Sequence, residues 1–323
     1  MSQFSSRREV LRSGALLGPA AALAALGCRS AESAAQAVPN PNPARDVRGV
    51  SLLLDAMPTM EGAGVRLRRS LGTRALSELD PFLLLDEIHS DRSEDYERGF
   101  PTHPHRGFET VTYMISGVME HRDSLGQGGQ LVAGSAQWMT AGHGIVHSEM
   151  PNPDRNLFWG LQLWVNLPAA QKLIKPRYQN VAPDRIPELS VKGAPVRLVA
   201  GTLGNERGPV DGISVAPTLL DLRLPAGGTF EHELPPEYTL FAYVLEGNAE
   251  LGGTRRAARA GQIAVFGPGK VLTTRSASGA RLLLVAGQKI GESIARRGPL
   301  VMNTQAELEQ AYEDFRNGVL VSG

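Results

Sequence analysis

"YMISGVME", residues Tyr113–Glu120, comes back in the second half of the chain as "YVLEGNAE", Tyr243–Glu250. A second stretch behaves the same way. "GSAQWMTAG", Gly134–Gly142, returns as "GQIAVFGPG", Gly261–Gly269, with the flanking glycines equally spaced in both copies. An internal repeat of this kind marks a duplicated supersecondary unit. Around the first copy the residues alternate, with Val111, Tyr113 and Ile115 on one face and Thr112, Met114 and Ser116 on the other, which is the period of a β-strand. Similar short runs, separated by glycines, continue from about residue 50 onward. Many short strands joined by glycine turns make an antiparallel barrel or jelly roll. The repeat therefore predicts an all-β chain of two tandem jelly-roll barrels.

The tail departs from this texture. In "NTQAELEQAYEDFRNG", Thr304 precedes Glu307 by three residues, a capping box. Leu308, Ala311, Tyr312 and Phe315 share one helical face, and Gly318 can end the helix. The spacing predicts a terminal helix packed on a barrel. Lys and Arg together number 33, as do Asp and Glu. No basic excess recommends nucleic acid or an anionic membrane as a partner.

The first residues read as an address. Arg7 and Arg8 are followed by an apolar, Ala-rich run from about Ala15 to Leu26, too short to span a membrane convincingly. "SRREVL" resembles a twin-arginine signal. Two cleavage points compete: "AQA" at Ala35–Ala37, and a lipoprotein-like box ending at Cys28, the single cysteine of the chain. The first leaves a soluble periplasmic protein. The second would anchor the chain to a membrane through Cys28. The expected organisation is an export signal over 1–37, a linker over 38–50, a first barrel over 51–170, and a second barrel with the terminal helix over 171–323.

Seven histidines serve the whole chain, and two of them stand one residue apart in "HPHRGFET", at His103 and His105. On a strand, residues i and i+2 share a face. Two imidazoles on an interior face pack poorly but make good ligands for first-row metals. "AGHGIVHSEM" supplies a second such pair, His147 and Glu149. Three nitrogens and a carboxylate on neighbouring strands would form an open metal site. The repeat tests this. Counting from the aligned tyrosines and glycines, the four positions fall on Glu233, Pro235, Thr274 and Ser276, with His232 alone and out of register. A packing requirement of the fold therefore does not explain the first set. Around it, Trp138, Met139, Phe108 and Trp159 are candidates to shape a pocket, with Trp159 and Trp164 read more readily as core. Arg106 and Glu109 can pair beside the site. His121 and His89 read as ordinary surface or partly buried residues, and His143 as an exposed loop residue.

At these residues the chain resembles the pirin family of bicupins, in "HPHRGFETVTYMISGVMEHRDSLG", "QWMTAGHGIVHSEMP", "GLQLWVNLP" and "GPLVMNTQAELEQAYEDFRNG". The resemblance runs from about residue 50 to 320. It implies two cupin domains and one metal in the first, held by His103, His105, His147 and Glu149. It also implies iron as the usual ion, with the ligand types admitting Mn, Ni, Cu or Zn, and a monomer. Glu109 occupies the place of the usual cupin glutamate ligand, which pirins do not count as one, and so reads as a supporting residue. Pirins are mostly cytoplasmic or nuclear, and the export signal departs from that. Two functions follow. One is a quercetin 2,3-dioxygenase-like activity on an aromatic small molecule with O2, with Glu149 as ligand and proton acceptor. The other is a non-enzymatic, redox-sensing metal protein that acts on a partner. An open pocket leading to the metal favours the first.

Overall fold

Tyr113 sits in the middle of one continuous strand, Phe108–Ser116, whose residues are buried on both faces up to Met114. The computed structural model describes residues 46–153 and 157–321. The readings made on residues 1–45, including the export signal and Cys28, lie outside the described residues.

The first half contributes twelve strands: β1 (Val50–Asp55), β2 (Met57–Glu61), β3 (Val65–Leu71), β4 (Phe82–Ser90), β5 (Phe100–His105), β6 (Phe108–Ser116), β7 (Val118–Asp123), β8 (Gly128–Val132), β9 (Ala136–Thr140), β10 (Ile145–Pro151), β11 (Phe158–Asn166) and β12 (Arg177–Val181). A seven-stranded sheet in the order β12-β9-β6-β11-β4-β3-β2 faces a four-stranded one in the order β5-β10-β7-β8. Met114 and Phe158 of the large sheet meet Met119 and Leu131 of the small one, closing a cupin barrel around an apolar interior.

The second half repeats the plan. Strand Thr239–Leu251 lies between Gln262–Phe266 and Ala280–Gly287, and Thr218–Leu224 follows. The register confirms the alignment made from sequence. Tyr113 stands opposite Ala136 on one side and Leu161 on the other, and Leu161 stands opposite Glu87. Tyr243 stands opposite Ile263 and Leu283, and Leu283 opposite Asp221. The glycines two residues before Ala136 and Ile263, Gly134 and Gly261, share a φ of 82°. A side chain rarely adopts that conformation, so the turn selects glycine.

The two large sheets pack on each other. Val111, Leu161 and Leu163 of the first barrel share one core with Phe241, Leu283 and Val285 of the second. Burial on both faces explains why β6 and β11 read as nearly continuous apolar runs.

Both ends of the described residues cross between barrels. β1 pairs with Gln262–Phe266 of the second barrel. Conversely, the Val301 N–H donates to the carbonyl of Arg106 at 3.0 Å, and the Arg106 guanidinium pairs with Asp314 at 2.6 Å. β12, beyond residue 170, pairs with β9 of the first barrel. The terminal helix, Gln305–Arg316, carries the expected capping box of Thr304 and Glu307. Leu308 and Ala311 are buried, whereas Phe315 is exposed, so its apolar face is narrower than its spacing implies.

Candidate metal centre

β5 and β10 run antiparallel with His147 directly across from His103 and Ile145 across from His105. Pro104, between the two histidines, cannot donate to a ladder. It is tolerated because β5 is the edge of its sheet. The ladder slips between His147 and Glu149, so that Glu149 pairs with Phe100. A bulge of this kind re-aims the residue that follows it.

The three imidazoles converge. Ring centroids lie 4.5 Å apart for His103 and His147, 4.7 Å for His103 and His105, and 4.9 Å for His105 and His147. One nitrogen from each lies within 4.8 Å of the others. His103 Nδ1 donates to the carbonyl of Pro101 at 2.9 Å. That bond fixes the proton on Nδ1 and leaves the Nε2 lone pair free. This Nε2 lies 3.0 Å from Nε2 of His105.

His105 and His147 are buried, at 1% and 2% exposure. Among the described residues, neither ring nitrogen of His147 has a hydrogen-bond partner. Orphaned buried polar atoms are costly and uncommon. Burial holds the His105 imidazole well below its ordinary pKa and brings His147 down to about 4, against the pull of Glu149. Both rings are therefore neutral at neutral pH, the form that binds a metal. A metal ion fits this donor set, since it would satisfy the nitrogens that the protein leaves unpaired.

Glu149 is buried, and its carboxylate is held by the chain itself. It accepts from Thr112 Oγ1 at 3.2 Å and from Gln162 Nε2 at 3.2 and 2.9 Å. Gln162 in turn accepts from Trp164 Nε1 at 3.1 Å. The Trp164 ring meets His105 edge-on, with centroids 5.4 Å apart. Thr112, Gln162 and Trp164 were not singled out as site residues by sequence. The available signal was Gln162, the one hydrogen-bonding side chain between Gly160 and Leu163 in an apolar strand.

Several neighbouring expectations need correction. Trp138 faces the core between the barrels and does not cover the histidines, Trp159 lies in that core as the preferred reading has it, and Trp164, also read as core, lines the site instead. Phe108 does reach it, 5.1 Å from His105. Glu109 does not support the metal ligands. On β6 its face is that of Val111 and Tyr113, opposite to that of Thr112. It accepts from Thr140 Oγ1 at 2.6 Å, and burial raises its pKa to about 7. Arg106 bonds Asp314 and the carbonyls of His143 and Leu320, not Glu109. His121 is fully interior, 3.0 Å from the side-chain nitrogen of Gln137. His143 is half-buried.

The second barrel shows what the fold alone requires. There Leu272 takes the place of Ile145 and stands opposite His232, while Thr274 takes the place of His147 and stands opposite Phe230. His232 is therefore in register, as the counterpart of His105. Counting from the tyrosines missed this because the connection from His232 to Tyr243 is three residues longer than that from His105 to Tyr113. Phe230, Thr274 and Ser276 stand where the first barrel has His103, His147 and Glu149.

A cavity of about 530 Å³ opens on the first site. His103, His105, Gln162, Trp164, Leu84 and Arg296 are among its walls.

Comparison with known proteins agrees with this architecture. The family model "Pirin" matches residues 64–165, and "Pirin C-terminal cupin domain" matches residues 219–321. A pirin-like protein of Caulobacter vibrioides is 43% identical over 274 residues, covering 84% of this chain and 99% of its own length. The pirin of Homo sapiens is 39% identical, covering 83% of this chain and 92% of its own. Among solved structures, quercetin 2,3-dioxygenase from Acinetobacter baumannii superposes with a TM-score of 0.78 at 31% identity, covering 84% of this chain and 98% of its own.

Proposed function

The chain belongs to the pirin family, and from that premise we propose that it is a metal-dependent dioxygenase that opens an aromatic small molecule of the flavonol (quercetin) type with O2. The observation that carries this reading is the open cavity walled by His103 and His105, two of three imidazoles that converge with His147 behind them. A sealed site would serve a purely structural or sensing ion. The name of the Acinetobacter relative supports the same reaction class.

His103, His105 and His147 would hold one divalent ion, Fe(II) being our choice, with Glu149 as fourth ligand. Such an ion supplies a Lewis acid for a deprotonated hydroxyl and electrons for reaction with O2. The chain's own residues do the rest. The pinned tautomer of His103 keeps its Nε2 lone pair aimed inward. Glu149 takes the substrate's hydroxyl proton on a carboxylate oxygen, and Gln162 and Thr112 keep that carboxylate oriented while it does so. Trp164, Leu84 and Phe100 form walls that exclude water from a flat ring. The signal-like first 37 residues support export of this activity to the periplasm, either free or anchored through Cys28.

The test is oxygen uptake by the Fe(II)-loaded chain on addition of quercetin, with His147→Ala as control. Uptake that the variant lacks supports the dioxygenase. No uptake by a demonstrably loaded protein rejects flavonol cleavage and moves weight to a sensing role.

A further inference from the structure

Four charged side chains line the metal cavity: Glu61, Arg69, Asp86 and Arg296. Three of them answer one another. Arg69 donates to both oxygens of Asp86, at 2.8 and 2.7 Å, and meets Glu61 at 2.8 Å. Arg296 stands apart. It donates through one nitrogen to a neutral acceptor, the carbonyl of Leu83, at 2.9 Å. Among the described residues no carboxylate pairs with it. Its guanidinium lies 4.8 Å from the centre of the Trp164 ring. Its neighbour Arg297 is committed elsewhere, 3.8 Å over the ring of Tyr312.

Burial, and then the nearby Arg69, lower the pKa of Arg296 from its ordinary value, against the pull of Asp86, Glu61 and Glu78. The cation is thus poorly solvated, near a second cation and near carboxylates that it does not hydrogen-bond, with donors to spare. A guanidinium in that condition binds an oxyanion strongly, because charge-assisted hydrogen bonds are the strong ones and its planar fork matches a carboxylate. The walls beside it, Trp164, Leu84, Phe100 and Pro299, offer apolar surface to a ring.

We propose that Arg296 is the anion-recognising residue of the metal cavity, and that the cavity selects aromatic acids: flat rings carrying a carboxylate or a comparably acidic oxygen, with that group on Arg296 and the ring directed toward His103 and His105. This rests on the reading that the cavity takes an aromatic small molecule, and it adds a charge requirement to it. The specificity residue is delivered by the C-terminal segment rather than by the barrel that holds the histidines.

The test is calorimetric binding of 2-naphthoate and its neutral isostere 2-naphthamide to the full chain, with and without metal. The wild type should prefer the acid by roughly tenfold or more, the size expected of a charge-assisted bond. Arg296→Gln should abolish that preference, and Arg296→Lys should keep most of it. If Arg296→Gln does not fold, Arg296→Met, which keeps an unbranched stem over Trp164, replaces it. A preference that survives in Arg296→Gln or Arg296→Met, where the charge is gone, overturns the proposal. So does one that is lost in Arg69→Gln instead, one that depends on metal alone, or a wild type that binds both probes equally. Binding needs no turnover, so an anion preference without oxygen uptake rejects only the dioxygenase, and the converse rejects only the anion subsite.

Discussion

The hydroxyl of Tyr113 in the first barrel donates to a carboxylate oxygen of Asp221 in the second at 2.7 Å, and both groups are buried. The repeat makes this relationship reciprocal. Tyr243, the counterpart of Tyr113, donates at 2.6 Å to Glu87, which holds in the first barrel the register position of Asp221. Each carboxylate has an arginine as well: Asp221 binds Arg281 at 2.9 and 2.6 Å, and Glu87 meets Arg68 at 2.9 Å. The duplicated tyrosine is thus a clasp between the copies. Tyr113→Phe leaves a buried carboxylate one donor short and should lower stability by about 1–3 kcal/mol. Urea unfolding measures it, and an unchanged midpoint would contradict the clasp.

His147→Ala should abolish stoichiometric metal binding, since two imidazoles and a carboxylate tied to Thr112 and Gln162 remain. Elemental analysis after dialysis reads this directly. Full metal occupancy in the variant would remove His147 from the ligand set. His232→Ala, on the counterpart position in the second barrel, should leave metal content unchanged.

Gln162→Leu removes the only donor among the described residues that reaches both oxygens of Glu149, and leaves Trp164 Nε1 without its acceptor. We expect a loss of about 1–3 kcal/mol in metal-free protein, with metal content retained because the three imidazoles are untouched. Thermal unfolding and metal analysis on one preparation separate the two effects. A stable variant that cannot hold metal would reverse the assignment.

The pH dependence of stability carries opposing contributions. Burial raises the Glu109 carboxyl from 4.5 to about 7. The folded state therefore binds this proton more tightly than the unfolded one. Its stabilising contribution is complete below about pH 4.5 and is lost as pH rises toward 7. In metal-free protein, His147 has the opposite sign. Its pKa falls from 6.5 to about 4, so its contribution is present above 6.5 and is lost as pH drops to 4. Comparing wild type with Glu109→Gln isolates the first. The variant should be more stable at pH 8, by up to about 3 kcal/mol, with the advantage vanishing toward pH 4. An equal difference at both pH values would refute the assignment.

Period-2 spacing and the repeat were enough to reveal the barrels, the aligned tyrosines and the converging histidines, because i and i+2 on a strand share a face whatever surrounds it. Facing was harder to read. β6 and β11 are buried on both sides, one against the barrel interior and one against the other barrel. Alternation between polar and apolar residues is therefore weak there, and nothing local tells Trp164 from Trp159 or Thr112 from Glu109. Arg296 lay further still from view. Its place over Trp164 depends on a chain segment returning from the second barrel, a contact between residues 132 positions apart in sequence.

The exchange of chain ends also sets an order of assembly. Pro299 and Arg296 wall the cavity over His103 and His105, and Val301 closes onto Arg106 just behind them. A ribosome delivers these residues only when nearly the whole polypeptide has emerged. The imidazoles can therefore gather early, on strands close in sequence, while the chamber around them stays unwalled until translation is almost finished. The finished chamber, not the bare triad, then decides which small molecules reach the imidazoles.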